Sequence, residues 1–159
     1  MFNVLIVCSA NICRSPMGEV ILQSLVERNH LQDQIDVSSA GLLGIEGERA
    51  SDLAITVAQE RGLNLESHRS KSITPHLIKQ SDIILCMTPD HKTDLQSLFP
   101  SNQGKIHTLK EYLVKDEITK NYIDDPIGLS LNFYRKIFHE IRTELERIFP
   151  ELKKQALMK

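Results

Sequence analysis

Phe2-Asn3-Val4-Leu5-Ile6-Val7-Cys8, running on through Ser9-Ala10-Asn11-Ile12-Cys13-Arg14 into Ser15-Pro16-Met17, is the stretch on which the fold turns. Residues 2–8 are a nearly continuous apolar run rich in branched side chains, the pattern of a strand covered on both faces. At Ser15 the period changes. Pro16 suits the first helical position, Ser15 can cap it, and Met17, Val20, Ile21 and Leu25 fall on one helical face. The reading is a central strand, a tight loop and a helix, in that order.

Working outward, residues 35–38 read as a second, weaker strand, and Gly41, Gly44 and Gly47 after it read as a long loop. Residues 51–61 predict a helix ended by Gly62, with Ala54, Val57 and Ala58 turned inward. Residues 82–87 are another buried strand, after which Thr88 and Pro89 open a helix that reaches about Phe99 and stops at Pro100. Residues 105–109 make a shorter strand. Beyond a polar loop to Ser130, the spacing of Tyr134, Ile137, Phe138, Ile141, Leu145 and Ile148 gives the clearest amphipathic helix in the chain. Strands alternating with helices predict an α/β fold: one domain over residues 1–159, a four-stranded parallel sheet with helices on both faces. Ligands of such sheets bind beyond the carboxyl ends of the strands, which directs attention to the loop after the first one.

The bulk properties narrow the function. At 159 residues the chain can bury a core without disulfides or a structural metal. A net charge of -2 gives no dense basic surface, so neither nucleic acid nor an anionic membrane is an expected partner. The N-terminal apolar run is too short for a membrane span or a signal core. The 3 cysteines, an odd number, argue against a disulfide framework and for a reducing, cytoplasmic setting. Cys8 and Cys13 have no second Cys/His pair at zinc-ligand spacing, so no metal and no other cofactor is expected. A monomer is expected.

Cys8 and Arg14 bracket the five residues 9–13. A loop of this length can curl so that its N–H groups converge, and the helix start adds partial positive charge; together they make an anion cradle suited to phosphate. Arg14 can then chelate two phosphate oxygens through its fork. The same donors favour the thiolate of Cys8, which could attack phosphorus in line. Taken without its context Cys8 could equally be a buried strand-end thiol. Cys13 reads either as a small loop residue or as a resolving thiol for oxidised Cys8, and Cys86 reads as core. Expelling an alkoxide or phenoxide requires an acid. Asp125, directly before Pro126 in Ile123-Asp124-Asp125-Pro126-Ile127-Gly128, is preferred over Asp124, although an Asp-Pro pair by itself is ordinarily a turn.

Residues 8–15 followed by Pro16-Met17, together with Ser39-Ala40-Gly41, Leu85-Cys86-Met87 and Asp125-Pro126, resemble the low-molecular-weight protein tyrosine phosphatases over nearly the whole chain. The resemblance implies a phosphocysteine mechanism acting on phosphoprotein substrates, with Cys8 as nucleophile, Arg14 as clamp and Asp125 as acid and then base. It implies that Ser9, Ala10, Asn11, Ile12 and Cys13 form the phosphate cradle and that Ser15 stabilises the thiolate. It also assigns Asn11 to holding the strained loop with Ser39 and His68, a histidine that would otherwise pass for an exposed loop residue. Where family members often place aromatic residues around the phenyl ring, this chain has Ile127 and the aliphatic stretch Leu42, Leu43 and Ile45. Ile12, Leu43 and Ile127 are therefore the expected pocket walls. Ile12 favours phosphotyrosine, because a charged guanidinium set against it would lose hydrogen bonds to water. The related protein arginine phosphatases, an alternative suggested by Leu109-Lys110-Glu111-Tyr112 and Asp125-Pro126-Ile127-Gly128, typically have threonine in place of Ile12. Thioredoxin-coupled arsenate reductases need a cysteine relay, and only Cys86 follows Cys13. A noncatalytic phosphopeptide-binding module would be expected to lose Cys8 or Asp125.

Overall fold

The computed structural model describes residues 1–159. The elements run β1 (Phe2–Cys8), α1 (Arg14–Arg28), β2 (Ile35–Gly41), α2 (Asp52–Glu60), α3 (Pro75–Gln80), β3 (Ile83–Cys86), α4 (Pro89–Leu98), a 3-10 segment (Pro100–Lys105), β4 (Ile106–Thr108) and α5 (Leu131–Met158). The strands form one four-stranded sheet in the order β2-β1-β3-β4, every pair parallel. The chain steps from β1 to one side, then returns past it to β3. That reversal opens a crevice beyond the carboxyl end of β1, where the predicted loop begins.

Side-chain alternation along β1 sorts the core into two layers. Phe2, Val4, Ile6 and Cys8 point into the larger cluster, which also takes Met17, Ile21 and Leu22 of α1, Ala54 and Val57 of α2, and the buried stripe of α5. Leu5 and Val7 face the opposite layer with Ile78 of α3, Cys86 of β3 and Leu95 of α4. α5 anchors the first layer through Tyr134, Ile137, Phe138, Ile141, Leu145, Ile148 and Leu152, all buried. Each of its aliphatic side chains contributes about 1.5–3 kcal/mol on burial, and truncating one such as Ile141 to alanine would cost about 2–5 kcal/mol. No helix is long and apolar enough to cross a membrane.

Several local expectations are corrected. The first helix begins at Arg14 with Cys13 as its N-cap, so Ser15 lies inside the helix and its hydroxyl is used elsewhere. Gly41 is not loop but the last residue of β2, paired with Cys8. A Cβ there would come within 2.8 Å of the Ser9 carbonyl oxygen, so glycine is required for the loop after β1 to lie against β2. α3 has only 6 residues, too few to show a period, and is set by Thr74, whose hydroxyl accepts from Leu77 N–H at 3.1 Å, with Pro75 at the helix start. The last helix runs ten residues beyond Ile148, through Pro150. Pro150 is solvent-exposed, and the burial of Phe149, Leu152 and Ala156 around it holds the helix together.

Candidate active site

The loop from Ser9 to Cys13 turns on Asn11, a non-glycine residue at φ 60°, in the left-handed region. Such a conformation persists only where surroundings over-determine it, and here every polar group of Asn11 is used. Its N–H points at the Cys8 sulfur, 3.3 Å away. Its carbonyl meets His68 Nε2 at 2.8 Å. Its side-chain oxygen accepts from Lys71 N–H at 3.1 Å, which fixes the amide so that Nδ2 donates both to Ser15 Oγ at 2.7 Å and to Ser39 Oγ at 2.9 Å. Asn11 is fully buried, so losing any of these partners would strand a polar group.

The direction of these bonds has a consequence at the sulfur. Ser39 donates its own hydrogen to Glu19 Oε2 at 2.9 Å, leaving its oxygen to accept from Asn11. Ser15 accepts from Asn11 and lies 2.9 Å from Cys8 Sγ, so its hydrogen is free to point at the sulfur. Two donors, Asn11 N–H and Ser15 O–H, thus converge on the Cys8 sulfur. Around them the N–H groups of Ser9, Ala10, Ile12, Cys13, Arg14 and Ser15 donate to no backbone carbonyl. Unfilled donors at a helix start are the physical content of an anion site.

Arg14 is buried and aimed by a hydrogen bond from Nη1 to the Ile123 carbonyl at 2.9 Å, while Nη2 lies 3.6 Å from Asp125 Oδ2. Asp125 is braced by Ile127 N–H, which donates to Oδ1 at 3.1 Å. Its neighbour Asp124 is instead engaged by Lys120 Nζ at 3.1 Å and does not line the cavity. A single cavity of about 180 Å³ is lined by Cys8, Ser9, Ala10, Ile12, Cys13, Arg14, Leu43, Asp125 and Ile127. Cys13 turns its sulfur away from the loop's donors, to 3.4 Å from both Ser51 Oγ and Tyr134 Oη. Burial pushes the Cys13 thiol up, and pushes the Tyr134 phenol to about 12, so both stay protonated. Cys86 is fully buried in the opposite layer, and burial drives its thiol well up.

Nucleophile, clamp and acid candidates, the cradle residues Ser9, Ala10, Ile12 and Cys13, and the pocket residues Leu43 and Ile127 therefore meet around one space, while Asn11 and Ser15 lie fully buried behind the loop. Ser39 and His68 stand behind it. Sequence reasoning missed Glu19, Ser51, Tyr134, His91 and the Ile123 carbonyl. Glu19 had a signal, one helical turn beyond Ser15, and so did Tyr134, since a core tyrosine hydroxyl needs a partner. His91 had none.

The family model for low molecular weight phosphotyrosine protein phosphatases matches residues 3–157. The chain belongs to this family. The phosphatase is 34% identical to the protein-arginine-phosphatase of Bacillus subtilis, the match covering 96% of this chain and 95% of that protein. It is 37% identical to the low molecular weight protein-tyrosine-phosphatase Wzb of Escherichia coli K12, over 91% of this chain and 88% of that one. Among solved structures, a mutant of the YwlE arginine phosphatase with a phosphorylated active-site serine superposes with a TM-score of 0.91 at 30% identity, covering 99% of this chain and 100% of that chain.

Proposed function

We propose that residues 1–159 form one catalytic domain that hydrolyses phosphotyrosine in proteins, and small aryl phosphates, through a phosphocysteine intermediate. The observation that carries the reading is the shared cavity: the Cys8 sulfur, the unfilled loop donors, the Arg14 guanidinium and the Asp125 carboxyl all border one space. In the first step the Cys8 thiolate attacks phosphorus, the S–P bond forms and the ester P–O bond breaks. Asp125 gives its proton to the leaving phenoxide. In the second step a water attacks phosphorus and gives a proton to the Asp125 carboxylate, which restores the acid, and S–P cleavage returns the thiolate and releases inorganic phosphate. The loop N–H groups and Arg14 hold the nonbridging oxygens throughout, so charge developing on them meets donors already in place. The three thiols are free, which suits a reducing compartment such as the cytoplasm. The test is turnover of p-nitrophenyl phosphate with mass detection of a phosphorylated Cys8 peptide after rapid quench. Turnover that survives in Cys8→Ser would refute the mechanism.

A second reading, phosphoarginine as substrate, has a specific observation in its favour, because the Bacillus subtilis relative named a protein-arginine-phosphatase matches end to end. Against it stands Ile12, whose aliphatic side chain lines the cavity and offers no acceptor to a guanidinium. Leu43 and Ile127 are 63% and 51% exposed, so the rim is apolar but open. With matched phosphotyrosine and phosphoarginine peptides, wild type should favour phosphotyrosine, and Ile12→Thr should shift the kcat/KM ratio toward phosphoarginine. A wild type that already prefers phosphoarginine would reverse the assignment.

A further inference from the structure

Ser9 follows the nucleophile and is half-buried at the lip of the cavity it shares with Cys8 and Arg14. Its carbonyl accepts from Leu43 N–H at 2.9 Å, and its hydroxyl lies 2.8 Å from Nε2 of His91. His91 belongs to the first turn of α4, on the far side of β3 from α1. It is only 7% exposed, and its N–H donates to the capping Thr88 hydroxyl at 3.2 Å. Its second ring nitrogen, Nδ1, is buried with no partner at all.

That orphan selects the tautomer. With its hydrogen on Nδ1, the neutral ring would bury an N–H without an acceptor. With the hydrogen on Nε2, only a lone pair is left unpartnered, and Nε2–H donates to Ser9 Oγ. Buried orphan N–H groups are rarer than under-satisfied acceptors, so the second arrangement holds. The imidazolium would bury an unpaired N–H and a charge as well. Of the groups facing the ring, Arg14 of α1 opposes protonation, while Asp90 and Asp94 of α4 and Asp125 favour it; burial outweighs them all and lowers His91 to about 4. The ring is therefore neutral near pH 7. A Ser9 oxygen that accepts from His91 keeps its own hydrogen to give elsewhere.

We propose that Ser9 is a side-chain ligand of the phosphoryl group, its O–H donated into the cavity between Cys8 and Arg14, and that His91 is the positioning residue that fixes it through Nε2–H. The inference rests on the phosphatase reading and adds one directed hydroxyl to the backbone donors of the loop. It also makes another strand-helix unit, β3 to α4, a contributor to substrate binding.

The test measures inorganic phosphate as a competitive inhibitor of p-nitrophenyl phosphate turnover, with the His91 tautomer read by two-bond proton–nitrogen correlation. Ser9→Ala should weaken phosphate inhibition about tenfold, the size of a hydrogen bond to a charged oxygen, and raise KM more than it lowers kcat. His91→Gln places an amide nitrogen near the Nε2 position and should stay within about threefold of wild type, whereas His91→Asn reaches only the Nδ1 position and should resemble Ser9→Ala. The double variant Ser9→Ala/His91→Asn should be no worse than either single change, because both break one interaction. An Nδ1–H tautomer, or phosphate inhibition unchanged in Ser9→Ala while wild type is active, overturns this inference alone. A wild type neither active on the ester nor inhibited by phosphate overturns the phosphatase reading and this inference with it.

Discussion

The β1–α1 and β3–α4 units have the same outline: a buried parallel strand ending in cysteine, a short loop, and a helix with proline near its start. Val7 and Cys86 are even partners across the sheet. The two differ in what fills the helix start. In α4, Thr88 caps the N–H of His91 and Asp90 supplies a carboxylate in the first turn. In α1 no side chain caps the helix and no acid occupies the first turn. An anion can therefore do for α1 what Thr88 and Asp90 already do for α4. The cysteines follow suit: Cys8 faces two donors, while Cys86 lies among apolar side chains.

Serine at each cysteine breaks the comparison most sharply. Cys8→Ser should lower kcat by about 10⁵-fold or more with the fold intact, as loss of a nucleophile does. Cys86→Ser should leave kcat near wild type and cost about 1–3 kcal/mol of stability, since its hydroxyl would be buried among Val7, Ile84 and Leu95. Urea unfolding and p-nitrophenyl phosphate kinetics separate the two, and equal effects on turnover would dissolve the distinction. The neighbouring carboxylates of Asp125 and Asp124 come next. Asp125→Asn should lower phosphotyrosine turnover by about 10²–10⁴-fold while phosphate still inhibits, the usual contribution of a positioned acid. Asp124→Asn, which loses only the contact with Lys120, should do far less. Reversed effects would move the acid by one residue.

The strand-loop-helix order and the cysteine-to-arginine spacing were legible because both follow from period and local sequence alone. Cys8, Arg14 and Asp125 could be picked out as candidates because the proposed chemistry requires a nucleophile, a clamp and an acid, and because Asp125-Pro126 resembles the family pattern. What lay beyond reach depends on contacts between segments far apart in the chain. Glu19 meets Ser39, Arg14 meets the Ile123 carbonyl, and Ser9 meets His91 across 82 positions. Ser15 shows the limit from the other side. By local rules Ser15 before a proline reads as a cap, and only the family resemblance assigned it to the thiolate; the structure puts its hydroxyl against Cys8 and Asn11, because the helix starts earlier, at Arg14 with Cys13 as its N-cap. Local rules assume a free hydroxyl, and tertiary structure had already claimed this one.

The link between the two units can be tested through pH. His91 sits at about 4 in the fold against an ordinary value of 6.5, because burial disfavours its charged form. Between these values the unfolded chain binds a proton that the fold refuses, so the contribution to stability is complete above about pH 6.5 and is lost as pH falls toward 4. The gap corresponds to about 3 kcal/mol at most. Urea unfolding of wild type from pH 7 to pH 4.5 should be steeper in pH than that of His91→Gln, which has nothing to titrate there. Parallel curves would mean that His91 is not held neutral by the fold.

The smallest expected effect belongs to the cap that α4 has and α1 lacks. Thr88→Ala removes the hydroxyl that accepts from His91 N–H and should cost about 1 kcal/mol of stability, the usual value of an N-cap side chain. Inorganic phosphate binds only the folded form under the phosphatase reading, so it should stabilise wild type by about 2.7 kcal/mol at one hundred times its dissociation constant. If that anion caps α1, the increment at equal saturation should be the same in Thr88→Ala, because the lost cap and the bound anion serve different helices. The comparison must be made at equal saturation, since a frayed α4 start would loosen His91 and weaken phosphate affinity through Ser9. An increment in Thr88→Ala larger than in wild type at matched saturation would show phosphate filling the vacated cap of α4, and the two helix starts would then be alike in the respect that here sets them apart.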